Sequence, residues 1–296
     1  MDPSGGDSSS TSTDNVSPVG SYRRIASTWK KGRLLGQGSY GPVYEGITDD
    51  GFFFAVKEVS YPDQYVEGMQ IIKQLEQAIS LLSTFEHENI VQYYGTYKED
   101  SSLYIFLELV SKGSLRNLYQ QNQLIDAQAS AYTREILLGL KYLHDRNVVH
   151  RDINCANILI DANGTLKLSK FGIAKARKLY DDCVEGRACW MAPEVVKSSD
   201  YGLAADIWSL GCTVLEMITG QSPYFQYEFM QALYKIGQST PPNVPDSISK
   251  DARDFILQCL QGNPTSRPTA SQLLEHPFVK ERLPSSSELV SPQSPR

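Results

Sequence analysis

The spacing of apolar and polar residues changes period along the chain, and that change predicts an architecture. From Trp29 to Ser60 the pattern is that of strands. Leu34 and Leu35 lead into a glycine-rich turn, Val43 and Tyr44 lead out, and Phe52 to Val56 form a run expected to be buried. Residues 68–84 switch to a helical period, with Ile71, Leu75, Ala78, Ile79 and Leu82 on one stripe. Residues 91–97 and 102–109 return to strand. After Gly113 the period is mostly helical. Ala131, Ile136, Leu137, Leu140, Tyr142 and Leu143 mark one long helix, and Asp206 to Thr219 mark a second whose apolar character predicts burial. Strands first and helices later predict an α+β fold of two lobes. A small sheet-rich N-lobe spans 29–109, a larger helical C-lobe spans 110–283, and the hinge falls near Glu108-Leu109-Val110.

Composition changes the picture at the ends. Residues 1–28 are rich in Ser, Thr, Gly, Asp and Pro, and residues 284–296 are similar. Such segments bury too little apolar surface to offset their ordering entropy, so both are expected to be disordered. Net charge is −6, without the clustered Lys and Arg of a nucleic-acid footprint, so no nucleic-acid partner is expected. The cysteines, Cys155, Cys183, Cys189, Cys212 and Cys259, form no C-x-x-C pair and are expected to be reduced thiols. Apolar runs such as Leu103 to Val110 are far shorter than the roughly 20 residues of a membrane helix. No secretory or lipidation signal stands out, so a soluble cytoplasmic protein with no membrane partner is expected.

Three motifs add chemistry. Gly36-Gln37-Gly38-Ser39-Tyr40-Gly41-Pro42-Val43 matches a kinase glycine-rich loop, in which glycines let backbone amides approach phosphates. On its own a glycine hairpin is weak, and an isolated Ala-Val-Lys is usually a strand with a solvated lysine. Here strands flank the loop, and Lys57 follows Gly41 by sixteen residues. In kinases such a lysine pairs with the α- and β-phosphates. His150-Arg151-Asp152-Ile153-Asn154-Cys155-Ala156-Asn157 matches the catalytic loop H-R-D-x-x-x-x-N. Asp152 would accept the proton of a substrate hydroxyl, Asn157 would hold a metal, and His150 and Arg151 serve as buried scaffold. Met191-Ala192-Pro193-Glu194 matches A-P-E, Asp206-Ile207-Trp208-Ser209-Leu210-Gly211 opens the buried helix, and Arg267-Pro268 follows near the end.

From Trp29 to Leu283 the chain resembles a MAP kinase kinase kinase of the plant type. The residues that carry this include Gly51 to Val59, Asn89 to Gly95, Leu103 to Val110, Cys155 to Leu159, Trp190 to Glu194 and Asp206 to Met217. The resemblance implies ATP and Mg²⁺, with Ser or Thr of a MAP kinase kinase as acceptor. It implies nucleotide contacts from Gly36, Gly38, Gly41, Val43, Ala55, Lys57, Leu107 and Leu159. It gives structural roles to Phe171, Gly172, a buried Glu194–Arg267 pair, and Asp206 as brace of the catalytic loop.

Four functional positions depart from that pattern. Where the family has the Asp of D-F-G, the chain has Lys170, in Leu168-Ser169-Lys170-Phe171-Gly172. A charged lysine offers no lone pair to Mg²⁺ and repels it, leaving Asn157 as the remaining metal ligand of a broken site. The helix glutamate that pairs with the strand lysine falls on Ala78, and Glu76 lies about 200° away around the helix. Asn154 replaces the catalytic-loop lysine, and Arg187 replaces the Thr of the loop that seats the acceptor. Between Lys170 and Glu194 there is no Ser or Thr, so the phosphorylation switch lacks its acceptor apart from Tyr180, while Asp181, Asp182 and Glu185 are acidic at about that place.

These losses point to a pseudokinase with an allosteric or scaffolding role in a MAP kinase cascade, partnered by a MAP kinase kinase or a related MAP kinase kinase kinase. Asp152, Asn157 and Lys57 keep open an active Ser/Thr kinase that uses Mg²⁺, and an engineered inactive form is a further alternative. For the nucleotide, the expectation is that ATP, if it binds, is held without Mg²⁺, with Lys170 supplying part of the missing positive charge; an empty cleft is the opposing reading. At the ends, Arg24-Ile25-Ala26-Ser27 resembles a basophilic-kinase site, and Ser291-Pro292 and Ser294-Pro295 resemble proline-directed sites.

Overall fold

The computed structural model describes residues 29–38, 41–60, 75–76, 79–99, 101–169, 187–197 and 201–280. Five strands form one antiparallel sheet in the order β1-β2-β3-β5-β4. They are β1 (Trp29–Gly38), β2 (Gly41–Thr48), β3 (Phe53–Ser60), β4 (Tyr93–Glu99) and β5 (Ser102–Leu107). The period-2 pattern of β3 sorts its side chains between two clusters. Phe54 and Val56 join Phe106, Trp29 and Tyr104 on one face. Val59 joins Leu103, Ile105, Leu75 and Ile79 on the other.

The run expected to be buried from Phe52 to Val56 is broken at Phe53, which is 51% exposed. Phe53 opens the strand and belongs to neither apolar cluster. The fourth strand starts at Tyr93 and not at residue 91, because Val91 N–H donates to the Leu168 carbonyl instead (3.0 Å). The fifth ends at Leu107, since Glu108 N–H turns to the Gln92 carbonyl (2.8 Å). In the helix expected over 68–84, Leu75, Ile79 and Leu82 are buried, and a turn at 83–84 closes it. Ile71 and Ala78 lie outside the described residues.

Beyond the hinge the described chain is mainly helical. The helices are α1 (Leu115–Gln121), α2 (Asp126–His144), α3 (Pro193–Val196), α4 (Ala204–Thr219), α5 (Phe229–Gly237), α6 (Lys250–Cys259) and α7 (Ala270–Leu273). Ser114 starts α1 with a capping box to Asn117. Every residue of α4 from Ala205 to Ile218 is buried, so it forms the spine of the lobe. Gly211 lets α6 approach it: a Cβ there would lie 2.7 Å from the Cys259 Cβ. Gly220 ends α4 in the left-handed conformation (φ 70°).

One element escaped the sequence pattern. Strands β6 (Ile158–Ile160) and β7 (Leu166–Leu168) pair as a small hairpin. Three residues per strand are too few to show an alternation. One bridge crosses between the lobes, Leu168 with Ile90, and a second, Leu159 with Ser114, joins the hairpin to the start of α1. Among the described residues, no helix is long and apolar enough to cross a membrane.

Candidate phosphotransfer site

Strand register assembles the upper half of the site. Gly36 pairs with Val43, Val43 with Lys57, and Lys57 with Ile105, which makes one row across the sheet. Ala55 pairs with Leu107 beside that row, and Gly38 with Gly41 at the turn. Gly41 has φ +138°, and a Cβ there would sit 2.2 Å from the Glu58 carbonyl oxygen, so only glycine fits. At Gly36 a Cβ would meet nothing within 4 Å, which leaves open space beside the backbone. Lys57 is buried. Glu76 is exposed.

The lower half is built on one buried carboxylate. Asp206 accepts from the backbone N–H of His150 (2.7 Å) and of Arg151 (2.8 Å), and its Oδ2 lies 2.9 Å from His144 Nε2. That grip holds Arg151 at φ +74°, a conformation most side chains avoid. His150 Nδ1 accepts from Asp152 N–H (3.2 Å). Burial holds the His150 imidazole below its usual pKa, against the opposing pull of Asp206 and Asp152.

Asp152, Asn154 and Asn157 converge at this point. Asn154 is almost fully buried, and its Nδ2 donates to the Asp152 carboxylate (2.9 Å). Its Oδ1 accepts from Ala156 N–H (3.0 Å), which fixes the amide orientation. Asn157 Nδ2 donates to the Asp152 carbonyl (2.9 Å), leaving Oδ1 as its lone-pair oxygen. Ser169 is tied to the Asn157 carbonyl through both its N–H (3.0 Å) and its Oγ (2.7 Å). Leu159, on β6, is half-buried next to this loop and bridges to Ser114 at the end of the hinge.

Residues 29–279 match the family model described as the protein kinase domain. The chain belongs to that family. Among curated relatives, it is 59% identical to mitogen-activated protein kinase kinase kinase 1 of Arabidopsis thaliana, over 95% of this chain and 47% of that protein. It is 56% identical to mitogen-activated protein kinase kinase kinase 9 of the same plant, over 95% of this chain and 37% of that protein. The moss Physcomitrium patens supplies mitogen-activated protein kinase kinase kinase 1a, 52% identical over 92% of this chain and 36% of that protein. The chain spans about half or less of the length of these relatives.

The kinase scaffold is held by buried charge. Arg267 donates to both oxygens of Glu194 (2.7 and 2.9 Å), and also to the carbonyls of Ala204 (2.8 Å) and Gln261 (2.8 Å). A second anchor was missed in the sequence. Glu216, fully buried in α4, accepts from Tyr119 Oη (2.7 Å), Trp190 Nε1 (2.9 Å) and Arg116 (3.3 Å). Burial and that hydrogen bond push the Tyr119 phenol well above its usual pKa. The available signal was a lone carboxylate deep in an apolar helix. Lys167 was also missed. It bridges Glu108 of the hinge (2.9 Å) and the Glu88 carbonyl (2.9 Å).

Several expected positions lie outside the described residues: Ala78, Lys170, Phe171, Gly172, Tyr180, Asp181, Asp182 and Glu185, together with the side chain of Arg187. The kinase family generally uses ATP and Mg²⁺. The row of Gly36, Val43 and Lys57, with Ala55 and Leu107 beside it, suits a nucleotide. Among the described residues, the donor set around Asn157 does not suit Mg²⁺, which requires several oxygen ligands. The described residues offer one neutral amide oxygen there, and the nearby Asp152 carboxylate accepts a hydrogen bond from Asn154. No cluster of three or more His, Cys, Asp or Glu that could hold a metal occurs among the described residues.

Proposed function

We propose that this kinase domain, taken as 29–283 with its hinge after residue 109, is a pseudokinase of the MAP kinase kinase kinase type that works by binding. Its role is allosteric or scaffolding, in a MAP kinase cascade, with a MAP kinase kinase or a related MAP kinase kinase kinase as partner. The observation that carries this reading is the Asn154 clamp. In the family a lysine at this position touches the transferring phosphate. Here a neutral amide is turned inward and occupies Asp152 (2.9 Å). A unit charge about 4 Å from a phosphate oxygen contributes about 4 kcal/mol at an effective dielectric of 20. Losing it costs about three orders of magnitude in rate. Lys170 at the metal-binding position and Ala78 at the helix glutamate compound the loss. Positioning and electrostatics supply most phosphoryl-transfer catalysis, so these losses fall where they matter most.

The nucleotide slot supports ATP binding without Mg²⁺. Two ammonium groups, Lys57 and Lys170, would flank the phosphates. An anion between them relieves their mutual repulsion. All four described cysteines are free thiols, in keeping with the cytoplasm as the compartment. A second reading, an active Ser/Thr kinase, draws on Asp152, Asn157 and Lys57 all being kept. Transfer of labelled γ-phosphate to a MAP kinase kinase, with Mg²⁺ or Mn²⁺, separates the two. Background incorporation is expected. Incorporation that disappears with Asp152→Ala favours the active enzyme. Melting in ATP with EDTA, against ATP with Mg²⁺, tests the nucleotide: a rise in both buffers is expected, and a rise confined to Mg²⁺ contradicts the metal-free mode.

A further inference from the structure

Three exposed apolar side chains cluster on and beside helix α5. Met230 (71%), Tyr234 (69%) and Phe225 (65%) have the highest exposures among the large apolar side chains of the described residues. Met230 and Tyr234 lie one turn apart on the helix, and Phe225 precedes it by four residues. Gln226, Gln231 and Gln238 are exposed beside them, so the middle of the outward face is uncharged. The inward face fixes this orientation. Ala232 and Ile236 are buried with Tyr224 in an apolar cluster that Val196 and Cys189 join. Tyr224 Oη donates to the Thr240 carbonyl (2.7 Å), which closes the segment carrying Phe225. Single exposed apolar residues are ordinary, but a contiguous group of this kind marks an interaction surface.

The charges that flank this face say what fits it. Glu228 is exposed at the N-terminal end of α5, and Lys235 lies in its last turn. Two helical turns separate them, so both sit on the same flank, roughly 10 Å apart along the axis. Lys235 Nζ rests over the Tyr227 ring (4.6 Å), a weak contact that leaves its donors available to a carboxylate. Glu228 and Lys235 centre between positions 231 and 232, and Met230 and Tyr234 centre on 232. A second copy of α5 laid antiparallel about that point brings each Glu228 to the other copy's Lys235. It also sets each Met230 against the other copy's Tyr234, a favourable thioether–aromatic contact. Parallel pairing would instead set like charges together.

We propose that α5 is a self-association face, on which two copies of this chain pair antiparallel about a twofold axis near Gln231. A twofold contact requires a surface complementary to itself, and the Glu228 and Lys235 flank meets that requirement. The two charges cancel within the face, so the uncharged middle can be covered without repulsion. A nine-residue helix and one flanking phenylalanine bury less than the roughly 800 Å² per partner of a stable complex, so the dimer is weak and concentration-dependent. The face stands apart from phosphate transfer: α5 supplies none of the nucleotide or catalytic-loop residues.

Sedimentation equilibrium of the full chain, at up to about 100 µM, tests this. A reversible monomer–dimer equilibrium is expected for the unaltered chain. Glu228→Lys and Lys235→Glu, each measured alone, should weaken it at least about tenfold, because each sets like charges together at both contacts. An equimolar mixture of the two variants should dimerise again, since every lysine then faces a glutamate. Met230→Ser, at an exposed position whose change leaves the core intact, should weaken association as well. A monomer at every concentration overturns the proposal and gives the face to another protein. A dimer that neither the charge changes nor Met230→Ser weakens also overturns it. So does a mixture that stays monomeric while both variants keep the melting temperature of the unaltered chain.

Discussion

The buried polar network of the C-lobe and the catalytic loop beside it use the same residue types to opposite ends. In the network, each carboxylate faces cations and donors that match it. Glu194 has Arg267, Asp206 has two backbone amides and His144, and Glu216 has Tyr119, Trp190 and Arg116. A few residues away, the Asp152 carboxylate meets a neutral amide from Asn154. The network sets a shape, and a hydrogen-bonded carboxylate suffices for that. Phosphoryl transfer needs net positive charge at a defined point, and hydrogen bonds that only balance one another do not provide it. Fold and chemistry are therefore separable here, at the level of single side chains.

The largest test of that separation is Arg267→Ala. Removing one partner of a buried, bidentate pair leaves an uncompensated carboxylate, at a cost of about 3–5 kcal/mol. Urea denaturation should show a large loss of stability, with nucleotide-binding residues untouched. A loss below about 1 kcal/mol would mean that the pair is not an anchor. Glu216→Gln should follow, at about 1–3 kcal/mol, because Tyr119 and Trp190 donors lose a charged acceptor. The Trp190 contribution to fluorescence should shift with it, since its Nε1 bond of 2.9 Å is among those disturbed.

A third test uses pH and sits on the boundary between the two regions. The folded pKa of His150 is lowered by burial, whereas the unfolded imidazole takes up a proton near 6.5. Its contribution is complete above about pH 6.5 and is lost as pH falls from there toward the folded value. The slope reaches at most about 1.4 kcal/mol per pH unit for one group. His150→Asn should flatten the fall in melting temperature between about pH 7 and 5, with His87 giving the remaining slope in the same direction. The smallest expected effect is that of Asn154→Lys. Stability should move by less than about 1 kcal/mol, because the ion pair gained with Asp152 offsets the amide bonds lost. No phosphate transfer should appear from this change alone.

The two-lobed fold was legible in the sequence because its elements are long enough to show a period. The helix Asp126–His144 and the apolar Ala204–Thr219 are cases in point. The hairpin of Ile158–Ile160 and Leu166–Leu168 was not, being too short to alternate. The exposure of Phe53 was missed because a run of five apolar residues looks the same whether one of them faces solvent or not. At the site, spacing pointed to Asp152, Asn157 and Lys57, and also to the odd residue Asn154. It could not say which way Asn154 turns, since that depends on the Ala156 amide that holds its oxygen (3.0 Å). Glu216 and Lys167 form contacts across about 26 to 100 residues, and such partners leave no local pattern.

The most direct measurement installs the charge pattern expected of the family and compares it with the chain's own. The chain carrying Ala78→Glu, Asn154→Lys, Lys170→Asp and Arg187→Thr is assayed beside the unaltered chain for metal-dependent transfer of γ-phosphate to a MAP kinase kinase. The expected result is background transfer by the unaltered chain and clear, Mg²⁺-dependent transfer by the restored one, with closely similar melting temperatures. Equal transfer by both chains would contradict the account, and so would a restored chain that folds and binds Mg²⁺-ATP yet stays at background.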